Sequence, residues 1–123
     1  MESAARAYAP YSGFRVGAAL LLSDGITMVS GCNVENVSYG LTICAERAAV
    51  VQAVSLFGPT VRFAAAAVTN LNNAASPPCG ACRQVLAEFM DPDAPVLFPG
   101  DEGAETRTMA ELLPLSFRLE KAH

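Results

Sequence analysis

Apolar residues in this chain form short continuous runs separated by polar turns. The runs at residues 16–22 and 61–69 predict buried β-strands, and those at about 27–34 and 94–98 predict two more. Residues 23–25, which read S-D-G, form a turn signal between the first two runs along the chain. This pattern predicts that the sheet begins with a hairpin.

Between these runs the apolar spacing changes to that of helices. Apolar positions at residues 44–57 recur three or four residues apart, and a Gly-Pro pair at 58–59 ends the segment. Further helical segments are predicted at residues 2–8, 80–90 and 108–113, the last of which opens with the capping-box sequence T-M-A-E. Strands alternating with helices predict one layered α/β domain that spans residues 1–123.

The low share of charged residues favours an oligomer over a monomer. Of the 123 residues, 52% are apolar and only 16% are charged, which is little charge for a small monomer. We therefore expect further copies of the chain to cover part of its surface, although a well-filled core would give the same composition.

Charge and hydropathy limit the partners. The net charge of −4 leaves no basic patch for a phosphate backbone, so no nucleic-acid partner is expected. No apolar run approaches the roughly 20 residues that cross a bilayer, and no signal-peptide pattern opens the chain, so we expect a cytoplasmic protein without a membrane partner. In that reducing compartment the four cysteines are expected to be metal ligands or catalytic thiols rather than disulfides.

The inventory of reactive side chains excludes several enzyme classes. The one histidine is His123 at the end of the chain, so a Ser-His or Cys-His nucleophile lacks its general base. Neither a G-x-G-x-x-G string nor a phosphate-binding G-x-x-x-x-G-K-[ST] string occurs. Cysteine and carboxylate chemistry remain.

The cysteine spacing indicates a zinc site. Cys79 and Cys82 lie three residues apart at a predicted helix start, where both face one side and where the helix dipole favours the thiolate. Cys44 opens the other main helix, so a fold that brings the two starts together would supply three ligands. Three protein ligands leave the fourth position of zinc open to water, as in catalytic sites.

Charged neighbours complete this hypothesis. Glu46 follows Cys44 closely enough to exchange protons with a zinc-activated water without binding the metal. Three thiolates around one Zn²⁺ sum to a charge of −1, and Arg47, one turn beyond Cys44, is placed to offset that charge. Arg83, beside Cys82, is a second candidate for the same role.

The sequences C-A-E-R at residues 44–47 and P-C-G-A-C-R-Q at 78–84 together resemble the two-part zinc signature of the cytidine deaminases. The blocks YAPYSGFRVGAAL at 8–20, GCNVENVSYG at 31–40 and ELLP at 111–114 are similar to that family in the same order. The resemblance covers nearly the whole chain, although the helix before residue 8 is shorter than is usual in the family.

The resemblance implies a fold, a reaction and a set of site residues. The fold would be the three-layer α/β/α cytidine-deaminase-like fold, with a five-stranded mixed sheet and helices on both faces. The reaction would be hydrolysis of free cytidine and deoxycytidine to uridine and deoxyuridine in pyrimidine salvage: water attacks carbon 4, Glu46 moves the protons, and ammonia leaves. One Zn²⁺ per chain would be held by Cys44, Cys79 and Cys82.

The family also implies contacts to a small nucleoside substrate. Asn33 and Glu35 would bind the ribose hydroxyls, Phe14 would lie beside the pyrimidine, and the backbone of Ala45 would contact the base edge. In a homotetramer with shared active sites, Tyr39 and Phe117 match positions that reach across subunits. Cys32 is not a ligand in the family, and we expect it to be a buried strand residue.

Three other functions remain open at this point. The C-x-x-C pair at 79–82 also resembles the dithiol of a thioredoxin-like oxidoreductase, although this leaves Cys44 and Glu46 without a role. A structural zinc module would need a fourth ligand, for which Cys32 is the candidate. A nucleoside-antibiotic deaminase of the blasticidin type would share the zinc signature.

Overall fold

A computed structural model describes residues 2–115 of the chain. The five strands are β1 (Val16–Leu22), β2 (Met28–Cys32), β3 (Phe63–Asn70), β4 (Pro95–Gly100) and β5 (Gly103–Thr108). The α-helices are α1 (Glu2–Ala5), α2 (Ala45–Phe57), α3 (Gly80–Ala87) and α4 (Met109–Leu112), and a 3₁₀ turn covers Tyr39–Leu41. No helix within the described part of the chain is long and apolar enough to cross a membrane.

The five strands form one mixed sheet in the order β2-β1-β3-β4-β5. The pairs β1–β2, β1–β3 and β4–β5 are antiparallel, whereas β3 and β4 are parallel. Parallel neighbours need a crossover connection, and α3 lies in that connection. The predicted hairpin of β1 and β2 and the five-stranded mixed sheet are therefore confirmed.

Two glycines show that helices cover both faces of this sheet. A Cβ on Gly17 would lie 2.6 Å from Ser3 Oγ in α1, and one on Gly31 would lie 2.5 Å from the Ala49 nitrogen in α2. Gly31 pairs with Ala18, the neighbour of Gly17, so the two glycines face opposite sides of the sheet. Helix α1 thus lies on one face and α2 on the other, which confirms the three-layer arrangement.

The helices that follow α2 extend its layer. Helix α3 packs against α2, and α4 contacts both α3 and β5. The core between this layer and the sheet contains fully buried side chains from strands and helices alike: Leu20, Leu86, Met90, Val96 and Met109. Packing of α3 onto α2 brings the starts of these two helices together, and this sets the position of the candidate site.

Strand β5 was missed by the hydrophobic pattern and anticipated only through the family resemblance. Its sequence G-A-E-T-R-T has no alternation of large apolar residues, because it is an edge strand with mostly exposed side chains. It is held by the backbone ladder to β4, through a turn in which Gly103 has a φ of +117°.

Several predicted boundaries differ from the structure. Helix α1 ends at Ala5 rather than near residue 8, β2 covers only Met28–Cys32, and α3 ends at Ala87 rather than 90. The α3 boundary differs because residues 88–90 turn back toward the sheet, where the Phe89 carbonyl accepts a hydrogen bond from the Phe63 nitrogen at 3.0 Å. The capping box at Thr108 and Glu111 is present as predicted.

Candidate metal centre and active site

Three cysteines meet where α2 and α3 begin. Cys44 is the N-cap residue of α2, Cys79 is the N-cap residue of α3, and Cys82 lies in the first turn of α3. Their sulfur atoms all lie within 4.8 Å of one another. The predicted convergence of two helix starts on one point is confirmed.

These sulfurs fit a zinc ion by distance and by chemistry. Zinc–thiolate bonds of about 2.3 Å in tetrahedral geometry place the sulfurs about 3.8 Å apart, which is inside the 4.8 Å within which the three sulfurs lie. Thiolates are soft ligands that favour zinc, and the positive ends of two helix dipoles stabilise their charge. Cys32 is outside this cluster, so the described residues provide no fourth cysteine ligand.

The cysteines already share their protons unequally. A hydrogen bond with Cys82 is the main influence that lowers the pKa of Cys44 to about 5, and Arg47 adds to the effect. The same hydrogen bond, together with burial, raises the pKa of Cys82. One thiolate is thus stabilised before a cation binds, and the remaining protons leave as metal binds.

Arg47 is the cation closest to this charge. Its Nη2 donates to Cys44 Sγ at 3.4 Å and to the Thr42 carbonyl oxygen at 3.4 Å. Its Nε is buried and finds no hydrogen-bond partner among the described residues. The guanidinium therefore lies beside the sulfurs, and within the described residues it forms no salt bridge, which suits a role in charge compensation.

Arg83 has a different role from the one considered for it. Its Nε donates to the Pro78 carbonyl oxygen at 2.7 Å, and its Nη1 donates to the Leu112 carbonyl oxygen at 3.0 Å. The side chain thus ties the residue before Cys79 to the end of α4. The structure shows it bonded to backbone carbonyls rather than to the thiolates.

Glu46 lies in the first turn of α2 and is almost completely buried, with 6% of its surface exposed. Burial is the main cause that raises the pKa of its carboxyl, and the negative charge of Cys44 adds to it. A raised pKa strengthens the carboxylate as a proton acceptor, which is the property that a general acid–base needs.

A cavity of about 380 Å³ joins these groups to the predicted substrate contacts. Its walls include Cys44, Cys79 and Glu46 together with all the predicted substrate residues in the described range: Phe14, Asn33, Glu35, Tyr39 and Ala45. A larger cavity of about 500 Å³ at the ends of β3 and β4 contains none of them. The reactive side chains, rather than volume, therefore identify the candidate site.

Asn33 and Glu35 both line this cavity but also hold its wall. Asn33 Nδ2 donates to the Phe14 carbonyl oxygen at 2.9 Å, and Asn33 Oδ1 accepts from the Val16 nitrogen at 3.0 Å. The Glu35 carboxylate accepts from the backbone nitrogen and hydroxyl of Ser12 and from the Tyr11 nitrogen. The Ser12 hydroxyl is the main cause that lowers the pKa of Glu35.

Two other predicted residues have different outcomes. Phe117 lies outside the described residues, so its predicted contact stays a prediction. Cys32 is the last residue of β2, as its predicted strand position requires, but it is half-buried rather than buried and lies beside a separate cavity with Ser3 and Arg6. Strand β2 is an edge strand, which leaves its last residue partly open to solvent.

Sequence reasoning missed other residues that line the cavity: Ser12, Val16, Thr42, Ser76 and Pro77. Thr42, Ser76 and Pro77 lie two or three residues before a cysteine ligand, so nearness to the ligands along the chain was a usable signal. Ser12 gave no such signal, because its partner Glu35 is 23 residues away in the sequence.

The fold and site define a class: an α/β protein with a three-thiolate metal centre and a buried carboxylate beside an open cavity. Residues 1–97 match the family model described as the cytidine and deoxycytidylate deaminase zinc-binding region. The chain belongs to this family of zinc-dependent deaminases.

Comparisons with individual relatives agree with this family assignment. A cytidine deaminase from Sporosarcina psychrophila is 50% identical over 117 residues, which cover 94% of this chain and 83% of the relative. The crystal structure of cytidine deaminase from Mycobacterium tuberculosis aligns with a TM-score of 0.81 at 46% identity, covering 96% of this chain and 90% of that one. The cytidine deaminase structure from Burkholderia pseudomallei gives a TM-score of 0.83 at 42% identity, covering 94% and 91%.

These findings remove two of the alternatives. The thioredoxin-like function is wrong, because the C-x-x-C pair shares its position with Cys44 in a deaminase family site. The structural module that recruits Cys32 is also wrong, because Cys32 lies apart from the other three cysteines.

Proposed function

We propose that this protein is a zinc-dependent enzyme that deaminates free cytidine and deoxycytidine to uridine and deoxyuridine, with release of ammonia. The observation that supports this most directly is the burial of Glu46 beside three convergent cysteines at the wall of one cavity. Action on a free nucleoside suits a cytoplasmic salvage enzyme and needs no nucleic-acid surface.

Cys44, Cys79 and Cys82 hold one Zn²⁺ in this proposal, with Arg47 offsetting their excess negative charge. Bound zinc supplies a Lewis acid that makes water acidic enough to lose a proton near neutral pH. Glu46 accepts that proton on a carboxylate oxygen, which its raised pKa favours.

The protonated Glu46 then returns protons to the substrate. As oxygen bonds to carbon 4 of the pyrimidine, Glu46 gives its proton to the ring nitrogen beside that carbon. Glu46 then takes the second proton of the former water from the hydroxyl on carbon 4 and gives it to the amine, so that the carbon–nitrogen bond breaks, ammonia leaves and carbon 4 keeps the oxygen as a carbonyl. Burial keeps bulk water away from this carboxyl, so its proton goes to the substrate rather than to solvent.

The other cavity residues orient the nucleoside. Asn33 and Glu35 bind the ribose hydroxyls with the hydrogen-bonding capacity that their contacts to the wall leave free. Phe14 packs beside the base, and the backbone of Ala45, at the start of α2, contacts the edge of the base. A volume of about 380 Å³ is within the usual range for small-molecule sites.

We further propose that four copies of the chain assemble and complete one another's sites. Tyr39 lines the cavity yet is 88% exposed in the single chain, and its apolar neighbours Val37 and Leu41 are also exposed. Such a patch at the mouth of a site is typical of a surface that a neighbouring subunit covers. Tyr39 and Phe117 would then contact a nucleoside across a subunit boundary.

The assembly is tested by light scattering coupled to size-exclusion chromatography. The expected result is a mass of four chains for the wild type, and a smaller mass with lower activity for Y39A at low protein concentration. A fully active monomer would contradict the proposed assembly while leaving the proposed reaction intact.

The reaction is tested with Glu46→Gln. Glutamine has nearly the same shape and size as glutamate and still forms hydrogen bonds, but it cannot accept a proton. We therefore expect kcat to fall by at least about 10²–10⁴-fold. Zinc content per chain should stay near one. Turnover is followed by the fall in ultraviolet absorbance of cytidine, deoxycytidine and, as a competing substrate class, blasticidin S.

Glu102→Gln provides the matched control, because Glu102 is exposed in the turn between β4 and β5 and does not line the cavity. It should behave as wild type. Wild-type turnover in Glu46→Gln would contradict the proposed mechanism, and turnover of blasticidin S alone would contradict the proposed substrate.

A further inference from the structure

One wall of the candidate site is an irregular segment, residues 11–15, that is held by hydrogen bonds from other parts of the chain. It lies between α1 and β1 and presents Phe14 to the cavity. Glu35 binds its first two residues, and Asn33 binds the Phe14 carbonyl oxygen. Both are residues that the family resemblance already assigns to the substrate.

A third side chain fastens the same segment from a different direction. Asn72 Oδ1 accepts a hydrogen bond from the Arg15 nitrogen at 2.9 Å, and Asn72 Nδ2 donates to the Gly13 carbonyl oxygen at 3.2 Å. These two bonds bracket Phe14 along the chain. Gly13 has a φ of +71°, so the segment turns sharply just before Phe14 and depends on such bonds to keep its shape.

Asn72 is itself held in place. It lies at the start of the connection between β3 and α3, where Asn70 Oδ1 accepts from the Asn72 nitrogen at 2.9 Å and Asn70 Nδ2 donates to the Ala74 carbonyl oxygen at 2.8 Å. The Leu71 nitrogen donates to the Arg15 carbonyl oxygen at 3.0 Å. The Asn72 side chain therefore extends from a turn that is itself held by hydrogen bonds.

The same connection continues to the metal centre. Beyond Asn72 it passes through Ser76 and Pro77, which line the same cavity as Phe14, and reaches the ligand Cys79. One connection thus holds the substrate wall at its start and provides a metal ligand at its end.

We propose that Asn72 is a positioning residue for the deamination reaction: by bonding to Gly13 and Arg15 it fixes Phe14 at the distance from the metal centre that the pyrimidine requires. This inference rests on the proposed function. Asn72 does not line the cavity, so it acts through the segment that it holds and not by touching the substrate.

The test is Asn72→Ala in the zinc-loaded enzyme, with Asn73→Gly as the matched control. Asn73 is the next residue in the same turn, has a φ of 54° that glycine adopts easily, and makes no side-chain hydrogen bond to the described residues. Both variants shorten one exposed asparagine of one turn, but only Asn72→Ala releases the Phe14 segment.

The expected result is a split between kinetic parameters. KM for cytidine should rise about fivefold to tenfold in Asn72→Ala, because each lost bond weakens placement of the wall, while kcat stays within about twofold and zinc content does not change. Asn73→Gly should keep the wild-type KM. A fall in kcat together with loss of zinc would show a merely structural role and would overturn the proposal.

Amide hydrogen exchange gives a second readout that does not need turnover. Exchange at Arg15, whose nitrogen bonds to Asn72, should accelerate in Asn72→Ala and not in Asn73→Gly. Unchanged exchange and unchanged KM would overturn the proposal. If the wild-type protein did not deaminate cytidine, the proposed function would fail, whereas the exchange result would still decide whether Asn72 fixes the segment.

Discussion

At the scale of single residues, the metal centre would carry excess negative charge, and Arg47 is placed to offset it. Three thiolates and one Zn²⁺ leave a net negative charge, which weakens the ability of the metal to acidify water. The Arg47 guanidinium donates to Cys44 Sγ and to the Thr42 carbonyl oxygen, so its positive charge lies beside the sulfurs. Arg47 would thus tune the chemistry of the metal without binding it.

Arg47→Ala should therefore weaken zinc binding about tenfold or more, because the thiolate charge is no longer offset and Cys44 loses a donor. Competition with a fluorescent zinc chelator measures this change. Arg107→Ala, which removes an exposed cation paired with Glu105, serves as the control and should leave zinc binding unchanged. Equal zinc affinity in the wild type and Arg47→Ala would contradict the charge argument.

The ligands could be predicted from sequence because their signal is local. Cys79 and Cys82 are about one helical turn apart, and Glu46 is only two residues beyond Cys44. Ser12 and Asn72 could not be predicted, since the groups they bond to lie 23 and 57 residues away and no spacing encodes such contacts. Sequence therefore gave the reactive groups, and the structure was needed for the residues that hold the cavity wall.

At the scale of elements, the contact between β2 and α2 positions Cys44 and Glu46. Gly31 allows the backbone of the strand to approach the backbone of the helix, with Ala45 and Ala49 on the helix side. Small residues on both sides make this a contact between main chains, which has less freedom to shift than a contact between long side chains. The start of α2 is thereby fixed relative to the sheet.

Gly31→Ala should destabilise the fold by about 1–3 kcal/mol or more, because the added methyl group would lie 2.5 Å from the Ala49 nitrogen and neither backbone can move freely. Thermal unfolding measures the loss. Gly40→Ala is the control, since a Cβ there meets nothing within 4 Å, and its melting temperature should stay close to that of the wild type. Equal stability of the two variants would show that the helix can move away from the strand.

Element types followed from periodicity wherever the elements are buried. Strand β1 and helix α2 have buried faces, and their bounds agree closely with the apolar pattern. Strand β5 and the short α1 have little apolar pattern to detect, because one is an exposed edge and the other has only four residues. Their positions depend on backbone hydrogen bonds and on contacts with distant parts of the chain.

At the scale of the whole molecule, zinc would join the starts of two helices that are far apart in the sequence. Cys44 and Cys79 flank β3 on either side in sequence, and their helices pack side by side. An ion bound only by the folded chain stabilises that state in proportion to the logarithm of its concentration relative to Kd.

Removal of zinc by a chelator should lower the melting temperature by roughly 15 °C, because a metal held at about 1,000 times its Kd contributes about 4 kcal/mol. Differential scanning calorimetry measures the melting temperature before and after chelation, and the metal content is measured in parallel. Restored zinc should restore stability, and Cys32→Ser should show the same shift as the wild type. An unchanged melting temperature in verified zinc-free protein would mean that the site is preformed and contributes nothing to folding.

Connections between a strand and a helix usually tolerate insertions and deletions during evolution. The one between β3 and α3 differs, since its first residues hold the Phe14 segment and its last is a cysteine of the metal centre. An added or deleted residue anywhere along it would displace one end or the other. The length of this irregular connection is thus as tightly constrained as the register of a strand. In an insertion scan of the protein, insertions in this connection should not be tolerated.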